Sequence, residues 1–430
     1  MHELTALIRK DMIPALGVTE PGAIAFCVAK AKSYAKGELV HLNVAMNSGM
    51  YKNAFTCGIP NSEEVGNVFA AALGYAAGDP DKGLESLADV TPADNVTARK
   101  LIDEGKVTVE LSGITSRIFI EATLKTTENS VILTIRDKHT NITRVTVDGT
   151  TVFETADEYA ADTEEADATA KVHSVHGYTL AKIVDYVNTV PLEEIDFVKD
   201  AYKVNLELFE EALKSPRTTF ARQLLAMNRG KVISEDEQMT ASLLCNAAIE
   251  ARVIGLDKPA MSITGSGAHG IIATMPLYGV VKVNGFSDEM LCRATMLSYL
   301  VCTYIKEYSG RLSAFCGCAI AAGTGMACGL VYLKGGSVTE MEYAINNMAS
   351  SITGMICDGG NQGCTMKGVA ACDAAFKSVA FAMKGVHIDK VHGINGKTPE
   401  ETMRNMGLIA SPGMIGTEKT IVEIFEDKLK

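Results

Sequence analysis

The sequence predicts an α+β fold, helix-rich, with one small antiparallel sheet in the first half of the chain. Three observations carry that expectation. Apolar residues recur at helical spacing from residue 1 to about 105, and again from about 171 almost to the end. Between those stretches, residues 106–150 switch to short segments rich in Val, Ile and Thr, separated by turn residues. The 430 residues include 38 Gly and 19 Met but no Trp, so the interior is expected to pack small side chains closely. At about 150 residues per domain, the chain divides into an N-terminal helical part (1–105), a β-rich segment with an acidic linker (106–170) and a second helical region (171–430).

Each element has a local reason. Pro21 stands near the start of a run of good helix formers, Ala23 to Ala35, with Thr19 as the candidate cap. A second, Ala-rich helix is expected from Glu63 to Ala77, ended by Gly78-Asp79-Pro80. Strands are expected at Val107 to Leu111, Arg117 to Leu124, Val131 to Arg136 and Thr143 to Val147, with Glu128-Asn129 and Asp148-Gly149 as turns. Asp157 to Asp167 is acidic, poor in apolar residues, and reads as a solvated linker. Leu312 to Leu333 carries no formal charge and reaches the roughly 20 residues a bilayer span needs. Its Gly, Ala, Cys and Thr content argues instead for a buried core helix.

Composition also excludes partners. With 40 basic against 52 acidic side chains the formal net charge is −12, the wrong sign for a phosphate backbone, so no nucleic acid is expected. The N-terminal residues show no basic segment followed by an apolar one, so a cytoplasmic protein without a membrane partner is expected. Eleven cysteines, an odd number, read as packing residues, metal ligands or reactive thiols and not as a disulfide framework. A homodimer is compatible with this size and composition.

The chemistry-bearing residues gather in the C-terminal half. Cys316-Gly317-Cys318, Cys357 and Cys364 form the strongest constellation, the last two closing a turn that contains Gly359, Gly360 and Gly363. Three thiolates can hold three irons of a [4Fe-4S] cube and leave the fourth iron open as a Lewis acid. The spacing matches neither a ferredoxin nor a tight zinc pair, so buried structural cysteines remain an alternative. Thr264 to Gly270 is a glycine-rich turn before an apolar run; Ser266 and exposed amides there could nest a carboxylate, and His269 could exchange a proton, while the plain alternative is a helix-entry turn. Lys52-Asn53 precedes Gly58-Ile59-Pro60 and reads as a substrate-pairing or a solvated lysine. His173 and His176 lack a third ligand and read as a solvated pair. The other seven cysteines, Cys27, Cys57, Cys245, Cys292, Cys302, Cys328 and Cys372, read as core packing.

Gly17-Val18-Thr19-Glu20-Pro21, Lys52-Asn53 with Gly58-Ile59-Pro60, Ala70 to Pro80, Gly265 to Gly270, Ser309 to Gly335, Gly354 to Lys367, and Gly396-Lys397-Thr398 with Glu400-Glu401-Thr402 follow one another along nearly the whole chain. In that order they resemble the L-cysteine desulfidase family, which is related to the alpha part of iron-sulfur L-serine dehydratases. The resemblance implies an oxygen-sensitive, [4Fe-4S]-dependent β-elimination of a small amino acid without pyridoxal phosphate, giving pyruvate, ammonia and, from cysteine, sulfide. It implies Cys357, Cys364 and Cys316, preferred over Cys318, as cluster ligands. The matched motifs supply Thr19, Glu20, Asn53, Ser266, Gly267 and Asn361 as substrate contacts. One departure stands out: the family's proton-accepting cysteine is Val18 here, and a valine cannot take a proton. Ala268-His269 is a smaller departure, from Asn followed by Gln or His. Cys27 lies about 10 Å further up a helix starting near Glu20 and does not replace the missing thiol. His269 and then Lys52 are the candidate bases. The alternatives are a serine-dehydratase-like deaminase and a non-catalytic iron-sulfur sensor or amino-acid-binding protein.

Overall fold

The computed structural model describes residues 1–115, 117–155, 174–310 and 312–428. The α+β expectation holds: two sheets are set among helices that dominate the second half of the chain. Strand β1 (Ile13–Leu16) pairs antiparallel with a distant partner, described below. The larger sheet contains β2 (Leu39–Asn47), β3 (Val107–Gly113), β4 (Phe119–Thr126), β5 (Ser130–Arg136), β6 (Ile142–Val147) and β7 (Thr150–Glu154), in the order β3-β2-β4-β5-β6-β7. Strand β8 (Pro259–Ser262) is the partner of β1, with Ile13 opposite Ser262 and Leu16 opposite Pro259.

All four expected strands form, but the sheet reaches outside its expected segment. Strand β2 lies in the stretch read as helical, and it runs parallel to β3, so the sheet is mixed and not wholly antiparallel. The signal was a short period-two alternation: Leu42, Val44 and Met46 are fully buried, while His41, Asn43 and Ala45 are less so. Parallel pairing requires a long crossover, which the helices between Ser48 and Asp103 supply. On one face of β4 and β5, Ile120, Ala122, Leu124, Val131, Leu133 and Ile135 are buried beneath the helix Thr19–Lys32. The expected acidic linker lies outside the described residues.

The helix Thr19–Lys32 starts earlier than its apolar run suggested. Val18 holds the cap position without a side-chain bond, and Thr19 is the first helical residue, its hydroxyl donating to Gly265 O at 3.2 Å. Thr19 is therefore not the cap. Pro21 is tolerated because first-turn amides have no intrahelical acceptor. The next expected helix begins at Asn67, since Gly66 takes φ +93, a conformation that favours glycine and lies outside the helical region.

Around the helices Glu237–Val253, Gly267–Asn284, Asp288–Ser309, Gly323–Leu333, Val338–Ile352 and Gly363–Ala382, the core is built by close approach of small residues. A Cβ on Gly325 would sit 2.2 Å from Ser298 O, and one on Gly270 would sit 1.9 Å from Met261 O, so neither position accepts a side chain. The uncharged stretch ends in a core helix as expected, entered through a widened π turn at Cys318–Ala322. Among the described residues no helix is long and apolar enough to cross a membrane. The seven cysteines read as packing are all fully buried. His176 is not a solvated residue: it stacks on Tyr308 at 3.8 Å and bonds Tyr304 O at 2.9 Å. Its expected companion His173 lies outside the described residues.

Candidate active site

Two irregular segments meet where the thiols gather. Phe315 and Ile356 form an antiparallel bridge, with Cys316 N donating to Met355 O at 3.0 Å and Cys357 N to Ala314 O at 2.6 Å. This short ladder sets Cys316 beside Cys357. The chain then turns back through Gly359, whose φ of +103 favours glycine and whose Cβ would meet Lys52 O at 2.6 Å. Cys364 sits in the first turn of the helix Gly363–Ala382, its thiol bonding Gly359 O at 3.4 Å. Asn361 takes Gly363 N on its Oδ1 at 2.8 Å and gives its Nδ2 to Asp358 O at 3.1 Å. Its polar atoms thus hold the turn, a different task from the substrate contact expected of it.

The electrostatics of the three thiols are mutual. Burial pushes Cys364 up to about 11, with Cys357 and Cys316 adding to the rise and Lys367 opposing it. Cys357 is raised by burial and by Cys316, while Lys52 and Lys367 pull it down. Cys316 is pushed well above the thiol range by its hydrogen bond to Cys318 and by burial. Cys318, the less buried of the two, acts first on Cys316 and to a smaller extent on Cys245 and Cys302. Without a cation all three thiols stay protonated at neutral pH; a coordinating metal deprotonates such groups. Lys367, bonded to Asp358, places a positive charge beside all three. Sequence reading missed Lys367, although its position one turn after Cys364 was visible.

Lys52 is not poised to accept a proton. Its ammonium, fully buried, donates to Ser313 O at 3.0 Å, Cys357 O at 2.9 Å and Glu418 Oε2 at 2.8 Å, which accounts for all three hydrogens. Burial opposes its charge, yet the Cys357 and Glu418 charges raise its pKa above the ordinary lysine value. Lys52 therefore pins the cysteine loop to the C-terminal helix Ile415–Asp427 instead of facing a substrate as expected.

The opposite wall comes from the start of the helix Thr19–Lys32 and the turn before Gly267–Asn284. Val18 is buried against the cysteine turn, since a Cβ on Gly360 would lie 2.6 Å from Val18 Cγ1. Glu20, also buried, accepts Asn53 Nδ2 at 2.8 Å and lies 3.9 Å from His139 Nε2. Burial pushes its pKa up, but His139, Asn53 and Arg252 more than offset this and hold it at about 2. Asn53 also faces the thiols, with Cys357 Sγ 3.8 Å from its Oδ1. His139, from the β5–β6 hairpin, is a contribution of the sheet that no local motif announced.

His269 lies in the first turn of the helix Gly267–Asn284. Thr264 Oγ1 donates to Ile263 O at 2.7 Å, so its 2.6 Å contact with His269 Nδ1 uses the imidazole hydrogen. Nε2 is then the free lone pair. It sits over Gly317, where a Cβ would meet it at 2.7 Å and Lys306 Nζ at 3.1 Å. Burial, with Lys306 and Arg252, drives the His269 pKa well below its ordinary value, so the ring is neutral at physiological pH. Ser266 caps this helix by position but makes no side-chain cap bond. The structure thus brings Thr19, Glu20, Asn53, Ser266, Gly267 and His269 to one side of the three cysteines. A cavity of about 450 Å3, lined by Thr56, Gly58, Val65, Arg217, Val253, Ile254, Asn361 and Gln362, abuts the cysteine turn.

A helix-rich chain with this motif order defines a class, and comparison places it: the family model of the serine dehydratase alpha chain matches residues 81–423, and the chain belongs to that family. Full-length relatives carry the name UPF0597 protein. One from Clostridium botulinum (strain Langeland) is 40% identical over 430 residues, 99% of this chain and 98% of its own. Others, from Desulfatibacillum aliphaticivorans and Bacteroides fragilis, are each 34% identical, over 423 residues (97% of this chain, 96% of the relative) and 431 residues (99% and 98%).

Proposed function

We propose that the protein is a [4Fe-4S]-dependent lyase that removes the β-substituent of a small amino acid without pyridoxal phosphate, with L-cysteine as the substrate and sulfide as the leaving group. The observation that carries this reading is the meeting of Cys316, Cys357 and Cys364, from two chain segments, opposite a neutral His269 with its Nε2 lone pair free. Among the described residues no three His, Cys, Asp or Glu side chains converge on a single metal ion. Thiols spread around a four-iron cube need no such convergence, and their mutual electrostatic influence, the glycine turn and Lys367 suit an anionic cluster. When bound there, the cluster would supply a Lewis-acidic iron to take up charge on the leaving sulfur or oxygen.

The protein's own residues divide the remaining work. Glu20, held anionic, and Asn53 receive the substrate ammonium; Ser266 and the amide of Gly267, at a helix N-terminus, receive the carboxylate. Thr19 fixes the glycine turn through Gly265 O. His269 Nε2 takes the α-proton, replacing the thiol that Val18 lacks, and Thr264 holds the ring in the tautomer this requires. Membership of the serine dehydratase alpha chain family favours L-serine as the second substrate to test. Without a second base at position 18, the sensor reading rests on His269 failing. The test is pyruvate and sulfide release from anaerobically reconstituted protein given L-cysteine or L-serine. Both products from cysteine support the desulfidase, pyruvate from serine alone makes it a dehydratase, and neither product from iron-loaded protein overturns the lyase.

A further inference from the structure

Arg252 is the polar group in this region that no motif predicted and that the proposed chemistry has not used. It lies in the last turn of the helix Glu237–Val253 and is 3% exposed. Among the described residues its only hydrogen bond runs from Nη2 to Thr19 Oγ1, at 3.3 Å, and it forms no ion pair. Its Nε is buried with no acceptor at all. The carboxyl end of its own helix offsets part of the charge, but it does not supply an acceptor for Nε–H. A guanidinium is always charged, and burying its donors unmatched is unfavourable, so the arrangement is incomplete without an anion.

The direction in which it is incomplete is also fixed. A Cβ on Gly267 would lie 2.7 Å from Arg252 Nε and 3.2 Å from its Cδ, so the guanidinium edge lies against the first residue of the helix Gly267–Asn284. The first amides of that 18-residue helix have no intrahelical acceptor, and Ser266 at the cap makes no side-chain bond to them. The unmatched Arg252 Nε and the unmatched helix N-terminus are therefore direct neighbours. We propose that Arg252 and the N-terminus of the helix Gly267–Asn284 form a clamp for the α-carboxylate of the amino-acid substrate. This deepens the lyase reading and rests on it for the identity of the ligand.

The ligand class follows from the neighbours. A carboxylate presents two oxygens to the two-donor edge of a guanidinium. Glu20, close enough to Arg252 for each to feel the other's charge, stays anionic and suits a positive group a short distance away. A zwitterion meets both demands, whereas a phosphate would set its second negative charge against Glu20. The open-valence Arg252 also explains why Gly267 must lack a side chain: a methyl there would displace the guanidinium.

The test measures binding by calorimetry on full-length, cluster-reconstituted protein under anaerobic conditions, with L-serine, L-serinamide, ethanolamine and acetate as probes. The parent is expected to prefer L-serine over L-serinamide and ethanolamine by at least about tenfold, the size of one charge-assisted contact. Arg252→Gln should erase that preference, Arg252→Lys should keep part of it, and Gly267→Ala should weaken L-serine binding with the arginine still present. The ligand-free Arg252→Gln protein should melt no lower than the parent, because an unmatched donor has been removed; a purely structural arginine would lower the melting temperature. Arg252→Gln binding L-serine as tightly as the parent overturns the clamp, as does a parent that accepts L-serinamide equally well or binds none of the carboxylates. If acetate binds in an Arg252-dependent way while no amino acid does, the anion site stands and the lyase reading falls. Should Arg252→Gln fail to fold, Gly267→Ala decides: unchanged L-serine affinity there overturns the proposal.

Discussion

On the cysteine side of the site, the backbone is tied off. Lys52 uses every ammonium hydrogen, Glu418 neutralises it, and Asn361 holds its own turn. On the facing side, made by residues 18–20, 252 and 264–269, valences stay open: His269 Nε2 has no hydrogen bond among the described residues and Arg252 Nε has no acceptor. The facing side is largely buried, whereas the cysteine turn is only half-buried at Cys357 and Cys364. The cysteine side is held by an ion pair and by backbone acceptors, although Glu418 Oε1, Ser313 Oγ and Thr365 Oγ1 there lack partners; on the facing side it is a charged group, the Arg252 guanidinium, whose buried Nε lacks one. On the reading proposed above, the thiol side is a mount, and the facing side is where a substrate would complete the bonding.

The largest effects are expected on the cysteine side. Cys357→Ser is expected to remove bound iron and lower pyruvate formation by at least ~10^2–10^3-fold, the size of a lost Lewis acid worth several kcal/mol. The fully buried Cys328→Ser serves as the control and should keep its iron. Iron content by absorbance and colorimetric assay decides between them. Lys52→Met leaves Glu418 as an uncompensated buried charge and is expected to destabilise the fold by about 3–5 kcal/mol in urea titration. Lys52→Met with Glu418→Leu should recover much of that loss. If Lys52 were the base instead, the double variant would be stable and inactive with its iron in place.

On the open side the effects are kinetic and pH-dependent. His269→Gln is expected to lower kcat by about 10^2–10^4-fold with iron retained. Because burial and nearby cations depress the His269 pKa, the acid limb of kcat/KM in the parent should fall below pH 6.5; a limb at or above neutrality would exclude this ring as the base. The same depression contributes stability above pH 6.5 that is lost as pH falls below it. Glu20 acts in the same direction lower down. Its folded pKa of about 2, against an ordinary 4.5, contributes stability above pH 4.5 that disappears between 4.5 and 2, worth about 3 kcal/mol. Glu20→Gln should flatten that window in acid denaturation curves. The smallest effect expected is that of Val18→Cys, which places a thiol against Gly360 but leaves His269 in charge: a change in kcat under about threefold, and a stability loss of about 1 kcal/mol. A large rise in kcat would return the proton to position 18.

The α+β class, the four Val, Ile and Thr-rich strands, the buried nature of the uncharged 312–333 stretch and the seven packing cysteines were legible along the chain. These are properties of periodicity and composition, which act over a few residues and are therefore written locally. Strand β2 escaped because it lies among helices and its parallel partners are far along the chain, Leu42 lying opposite Val107. The thiols and the glycine turn were legible as motifs, since close backbone approach leaves glycine as its mark. What the polar side chains do was not. Lys52 looked like a surface or substrate lysine until Glu418, 366 residues on, was found bonded to it, and His139 and Arg252 carry no local signature of their proximity to Glu20. Charges in a dry interior are governed by whichever groups face them, and those groups are set by the packing of distant elements. Which of them find a partner is therefore settled where those elements meet, as at Lys52 and Glu418.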